Sequence, residues 1–181
     1  TQGTGKTTLA KILAKNHSTK FINASMNNGI DTIRNEIQDF VSTTSLIHHG
    51  SKKVVIFDEA DNISEAGQKS LRGLIEQFHT NALFIFTANF PEKIIDPIRS
   101  RVSEIVFNFS DEEEREQMRQ YIKRINLILK VNNYKIENDA LSYLLKTRYP
   151  DLRKILGDLQ IICSSLVDTD TIKLENVTRV N

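Results

Sequence analysis

The chain has 181 residues, 39 % hydrophobic and 26 % charged, a balance that excludes a disordered chain and suits one medium domain, alone or with a small satellite. Its formal charge of +1 excludes a global basic field, so any nucleic-acid contact has to come from local patches. The single cysteine, Cys163, excludes an internal disulfide framework and a thiolate metal cluster, and no apolar run approaches the ~18 residues of a membrane span.

Residues 6–15 read as a helix with Leu9, Ile12 and Leu13 on one face. Lys20–Asn23 is a short strand. Ile30, Ile33, Ile37, Phe40 and Val41 mark a second amphipathic helix, and His48–Ser51 a loop. Lys53–Asp58 is a continuous apolar run ended by acids, which suits a strand buried on both faces. Leu71, Leu74, Ile75 and Phe78 give a third helix, and Ala82–Thr87 another buried strand. Pro91 and Pro97 punctuate a loop, and Glu104–Phe109 alternates like a final strand. After Phe109 the texture turns helical. Ser110 with Glu113 forms a capping box that opens a helix to about Lys130. Further helices cover about Glu137–Lys146 and Asp151–Leu166, and Cys163 sits in the last as a small apolar residue. The expected architecture is α/β over residues 1–109, a parallel sheet flanked by helices, followed by an all-helical subdomain over 110–181.

Gly3-Thr4-Gly5-Lys6-Thr7-Thr8 stands at the start of the first helix. A polyphosphate needs inward amides, glycines where side chains would clash, a cation, a hydroxyl for Mg²⁺ and a helix N-terminus behind it. The segment supplies each part of the G-x-x-x-x-G-K-[ST] pattern except its first glycine, which falls before Thr1. The bland alternative is a helix start with a chance lysine.

Asp58 and Glu59 close the buried strand, at the sheet end where open α/β sheets place ligands. Asp58 suits Mg²⁺, and Glu59 suits orienting or deprotonating an attacking water. An exposed acidic loop of Asp58, Glu59 and Asp61 is the alternative. Asn89, past the end of the next strand, is a candidate γ-phosphate or water contact, or a plain turn residue. Arg153 lies off the apolar face of its helix, in a first turn where cations oppose the helix dipole. A nearby anion would remove that conflict, as would compensation by Asp151.

With these pieces placed, the chain resembles the AAA+ sliding-clamp-loader family. The resemblance runs through Ile22–Ser25 with Gly29–Asp31, Gln68–Arg72 with Ile75-Glu76, Ser100-Arg101-Val102 and Tyr149–Leu159. It is nearest to small subunits of the phage T4 type, then to archaeal and eukaryotic ones (replication factor C-like). In the family's S-R-C motif, Val102 replaces the cysteine.

The resemblance implies an ATPase with cofactors ATP and Mg²⁺, the nucleotide lying between the α/β domain and a helical lid. Gly3, Thr4, Gly5, Lys6, Thr7, Thr8, Asp58 and Arg153 would bind nucleotide, with Thr7 and Asp58 toward the metal. Glu59, Asn89, Arg101 and Arg153 would be catalytic: Asn89 as sensor 1, Arg153 as sensor 2, and Arg101 as a finger acting on a neighbouring subunit's ATP. Implied partners are other loader subunits in a ring or spiral, the sliding clamp and primer-template DNA, with no membrane. Lys69 and Arg72 lie off the apolar face of the third helix and are DNA candidates, with the helix starts near Asn28–Asp31 and Ser64. A helical collar would follow the lid, so the chain reads as a piece of a longer protein, monomeric and nearly inactive alone. The expected location is cytoplasmic, in a bacterial host if phage-encoded. The rivals are another AAA+ DNA-processing ATPase (a Holliday-junction motor or an initiator) and a non-hydrolysing loader scaffold. The Ser-Arg-Val and N-A-S segments weigh against the first, and the retained Lys6, Thr7, Asp58 and Glu59 against the second.

Overall fold

The computed structural model describes residues 2–26, 30–43, 52–166 and 170–180. Thr1, Asn28, Gly29 and the 48–51 loop lie outside the described residues, as do the side chains of Ile30 and Asp31. The chain divides into two compact units: Gly5–Val106, and Phe107–Asn181 together with Thr1–Thr4.

The first unit is built on three parallel strands, β1 (Thr19–Asn23), β2 (Lys53–Asp58) and β3 (Ala82–Phe86), in the order β1-β2-β3. β2 is central, with Phe21 opposite Ile56 and Phe57 opposite Phe86. Because strand side chains alternate, its apolar run divides between two cores. Val55 and Phe57 join the helices α2 (Ile30–Ser42) and α3 (Glu65–Phe78) through Ile37, Val41, Leu71, Leu74 and Ile75. Val54 and Ile56 meet α1 (Lys6–Leu13) through Ala10 and Ala14. Helices on both faces explain why β2 carries no polar alternation until Asp58.

α1 departs from expectation. It stops at Leu13, and its sheet-facing side chains are Ala10 and Ala14, while Ile12 and Leu13 are 62 % and 53 % exposed. Small residues let the helix lie close to the strands, so the larger aliphatics point away.

Glu104–Phe109 is not a strand. The alternation is present, but a strand also needs a ladder partner, and the three strands of this sheet pair only with one another. Ile105 and Val106 are accordingly 66 % and 61 % exposed. A short helix, α4 (Asp96–Arg99), precedes this segment.

The second unit is mainly helical: α5 (Asp111–Val131), α6 (Asn138–Arg148), α7 (Leu152–Ser165) and α8 (Leu174–Thr178). The Ser110–Glu113 capping box opens α5, and Ile125, Leu144, Ile155, Leu159 and Ile162 are buried in the core. Two-residue strands β4 (Lys135–Ile136) and β5 (Thr171–Ile172) form a parallel pair, too short to leave a periodic trace in the sequence. Cys163 is half-buried, and burial pushes its thiol pKa up, as suits an inert core residue. Gly3, at φ +70°, packs so closely on Asp151 that a Cβ there would collide with the carboxylate and Cα. Among the described residues, no helix is long and apolar enough to cross a membrane.

Candidate functional site

The glycines of the loop are required by conformation. Gly5 is the N-cap of α1 at φ 95°, ψ 10°, and Gly3 is also left-handed. A Cβ on Gly5 would meet nothing within 4 Å, so its need is backbone freedom rather than space. The first turn of α1 carries Lys6 and no acid. Its N-terminal amides, the positive end of the dipole and a lysine together favour an anion.

Thr7 and Asp58, 51 positions apart in sequence, meet where α1 begins and β2 ends. Thr7 Oγ1 donates to Asp58 Oδ1 at 2.6 Å. That hydroxyl proton is committed to the carboxylate, which leaves the oxygen's lone pairs as its remaining bonding capacity. Hydroxyl and carboxylate oxygens are the donor set of a hard cation, so these residues fit magnesium. Among the described residues, no group of three or more acidic, histidine or cysteine side chains is arranged to hold a metal by itself.

Glu59 follows at φ 56°, ψ 44°, a left-handed backbone unusual for this residue type. The Ser25 hydroxyl donates to Glu59 Oε2, and the Asn62 side-chain amide donates to Ser25 Oγ at 3.4 Å. Asn23 holds the same turn by accepting the Ser25 amide at 2.9 Å. The resembling segment Ile22–Ser25 thus touches the second acid directly. Asp61 is 8 % exposed; its Oδ2 accepts the Phe90 amide at 3.3 Å, while its Oδ1 is buried without a partner among the described residues. Next to Phe90, Asn89 is half-buried and its side chain has no hydrogen-bond partner among the described residues.

Arg101 is exposed and well held. Its Nη2 donates to Glu76 at 2.6 Å, and its Nη1 to the Pro97 carbonyl at 2.6 Å and Ser100 Oγ at 3.2 Å. Lys69 and Arg72 are exposed on α3, yet neither is free as the sequence suggested. Lys69 pairs with Glu65 at 2.6 Å and Arg72 with Glu76 at 3.0 Å, because acids stand four positions away on the same helix face. Ser64 caps α3, its hydroxyl accepting the Gly67 amide at 3.2 Å. In the second unit, Asp151 caps α7 by accepting the Lys154 amide at 3.0 Å, which eases the conflict in that first turn. Arg153 remains exposed and without a partner among the described residues.

The strand end therefore brings together Thr7, Asp58, Glu59 and, unforeseen from sequence, Ser25 and Thr87. Thr87 donates to Asp58 Oδ1 at 2.7 Å. A threonine just past an edge strand carries no sequence signal beyond ordinary β propensity.

Three comparisons bear on this geometry. The chain is 36 % identical over 170 residues to replication factor C small subunit 2 of Pyrobaculum islandicum, covering 90 % of this chain and 51 % of the relative. It is 30 % identical over 159 residues to replication factor C subunit 4 of Saccharomyces cerevisiae (88 % and 46 % covered). It is 37 % identical over 162 residues to a protein of Enterobacteria phage T4 named the sliding-clamp-loader large subunit (87 % and 50 % covered). The chain spans about half the length of the curated relatives it matches. Among solved structures, a RuvB variant from Thermotoga maritima superposes with a TM-score of 0.68 at 18 % identity, over 99 % of this chain and 58 % of that one. At that identity the likeness concerns the fold alone. The family model described as the ATPase family associated with various cellular activities matches residues 1–109. A glycine loop opening a helix, an acidic strand end beside it and that match over the whole α/β region make this chain a member of the AAA ATPase family.

Proposed function

We propose that this chain is the nucleotide-binding part of a clamp loader, which binds and hydrolyses ATP to place a sliding clamp on primed DNA. The observation that carries the nucleotide chemistry is the 2.6 Å bond from Thr7 to Asp58 beside the glycine loop. The loader reading is supported by relatives named replication factor C subunits and a clamp-loader subunit, at 30–37 % identity.

In this reading Gly3, Thr4, Gly5, Thr8 and the Lys6 ammonium hold the phosphates. Thr7 and Asp58 hold magnesium, which when bound neutralises phosphate charge. Glu59 takes a proton from the attacking water, Asn89 orients that water or the γ-phosphate, and Arg153 offers the nucleotide a cation. Arg101 serves the ATP of a neighbouring subunit. DNA phosphates reach Lys69 and Arg72 by displacing Glu65 and Glu76, an exchange that costs little because exposed pairs are weak. Loader subunits, the clamp and primer-template DNA are the partners. The isolated chain lacks a neighbour's Arg101 and turns ATP over slowly.

The test is ATP turnover by the assembled full-length protein. Primed DNA plus clamp should stimulate it, and Glu59→Gln should still bind ATP while losing hydrolysis. Stimulation by four-way junction DNA, with none from primed DNA plus clamp, would overturn the loader reading.

A further inference from the structure

We propose that Thr87 is a positioning residue for both acids of the site, a role that rests on reading Asp58 and Glu59 as the magnesium and water acids. Thr87 is only 7 % exposed and lies just past β3, beside the end of β2. It holds the neighbouring chain at four consecutive residues. Its amide donates to the Phe57 carbonyl at 2.9 Å, and its own carbonyl accepts the Ala60 amide at 2.8 Å. Its hydroxyl donates to Asp58 Oδ1 at 2.7 Å and accepts the Glu59 amide at 3.1 Å.

Any residue except proline could make the two backbone bonds. Only a hydroxyl makes the other two, and its single proton fixes their polarity: given to Asp58, it leaves a lone pair for the Glu59 amide. The consequences differ at the two acids. Asp58 Oδ1 accepts from Thr7 as well as from Thr87, so the carboxylate cannot rotate without breaking one of the bonds. Glu59 is held in a left-handed backbone that a residue with a Cβ resists. The bond to its amide, with the Ala60 amide bonded to the Thr87 carbonyl, fixes the direction in which its side chain leaves the chain. The hydroxyl therefore sets the cation-facing acid and the water-facing acid together.

Valine has the shape of threonine without the hydroxyl, and serine has the hydroxyl without the methyl. In the assembled protein, Thr87→Val should lower kcat and raise the magnesium concentration for half-saturation, each by about 10- to 100-fold, the range for partners that orient metal ligands. Affinity for a fluorescent ATP analogue should fall in the presence of magnesium and stay unchanged in EDTA. Thr87→Ser should restore both toward wild type, and Thr87→Cys, with its weak S–H donor, should lie between. The cysteine variant also serves if the valine variant fails to fold. A purely structural threonine predicts otherwise: lower thermal stability in the valine and cysteine variants, with wild-type magnesium dependence and kcat. That result, with turnover lost in Asp58→Ala and Glu59→Gln, overturns this proposal alone. Full turnover in those two acid variants would overturn the assignment of the acids and this proposal with it.

Discussion

Arg101 and Glu76, 25 positions apart, are joined by a 2.6 Å bond, and the carboxylate oxygen that accepts it also accepts Arg72 at 3.0 Å. One acid on α3 thus holds both the proposed finger and a proposed DNA contact. Arg101→Ala should lower turnover in the assembled protein by about 10³- to 10⁵-fold and leave nucleotide binding intact. Lysine should not rescue it, because an ammonium donates from one point and lacks the planar fork whose two separate nitrogens reach Pro97 and Glu76. Glu76→Gln should give a smaller loss in the same direction. Steady-state kinetics alongside nucleotide titration would separate these outcomes.

The same acid has a predictable titration. The hydrogen bond from Arg72 is the main cause holding the Glu76 carboxyl below its ordinary value of 4.5, burial opposes this, and the charges of Arg72 and Arg101 assist. A depressed folded value adds stability that is present above the unfolded value and lost as pH falls through the folded one. The tie to both arginines should therefore persist to below pH 4.5. An NMR titration of the Glu76 carboxyl should show a midpoint below that value, moving up toward it in Arg72→Ala.

Removal of the Thr7 hydroxyl should be read through magnesium. Thr7→Val loses the 2.6 Å bond to Asp58 and the proposed oxygen ligand together. A loss of at least about 10- to 100-fold in magnesium-dependent nucleotide affinity is expected, with little change in EDTA. Equal losses in both conditions would mean that the loop itself had been damaged.

Gln68 ties three backbone segments together. It is 2 % exposed, donates to the carbonyls of Ile63 and Lys93 at 3.0 and 2.9 Å, and accepts the Ile95 amide at 2.8 Å. Gln68→Leu leaves these groups without their partner at a cost of about 3 kcal/mol or more. Urea unfolding should show a lower midpoint at constant slope.

In the helical unit, Arg148 and Asp158 pair at 2.6 Å with side chains only 15 % and 14 % exposed. Breaking the pair with Arg148→Met strands a carboxylate and should cost about 2 kcal/mol, below the range for fully buried pairs. The double change Arg148→Met with Asp158→Leu should cost less than either single change. A double-mutant thermal unfolding cycle measures that coupling.

Sequence legibility followed the range of the interaction. The buried run Val54–Phe57, the Ser110–Glu113 cap and the apolar face Leu71, Leu74, Ile75 and Phe78 are local patterns, and the structure realises them. Thr7 and Asp58 each belong to a motif and the resemblance sets both toward one metal, whereas the direct 2.6 Å bond between them required the fold. Glu104–Phe109 misled because alternation is local whereas a ladder partner is not. The holds that Glu65 and Glu76 keep on Lys69, Arg72 and Arg101 were there to be read only for the two pairs at helical spacing. The pairing of Glu76 with Arg101 spans a strand and two turns. Thr87 and Ser25 were missed because a hydroxyl becomes a positioning group only through what lies opposite it.

The left-handed backbone at Glu59 implies a conflict of interest inside the chain. Glycine would adopt φ 56° without strain, so Glu59→Gly should relieve the backbone while abolishing the carboxylate. A library selected for thermal endurance alone would drift toward glycine there, whereas one selected for turnover would keep the acid. The position is a point where folding and the proposed chemistry pull toward different residues, and the residue present is the one that chemistry asks for.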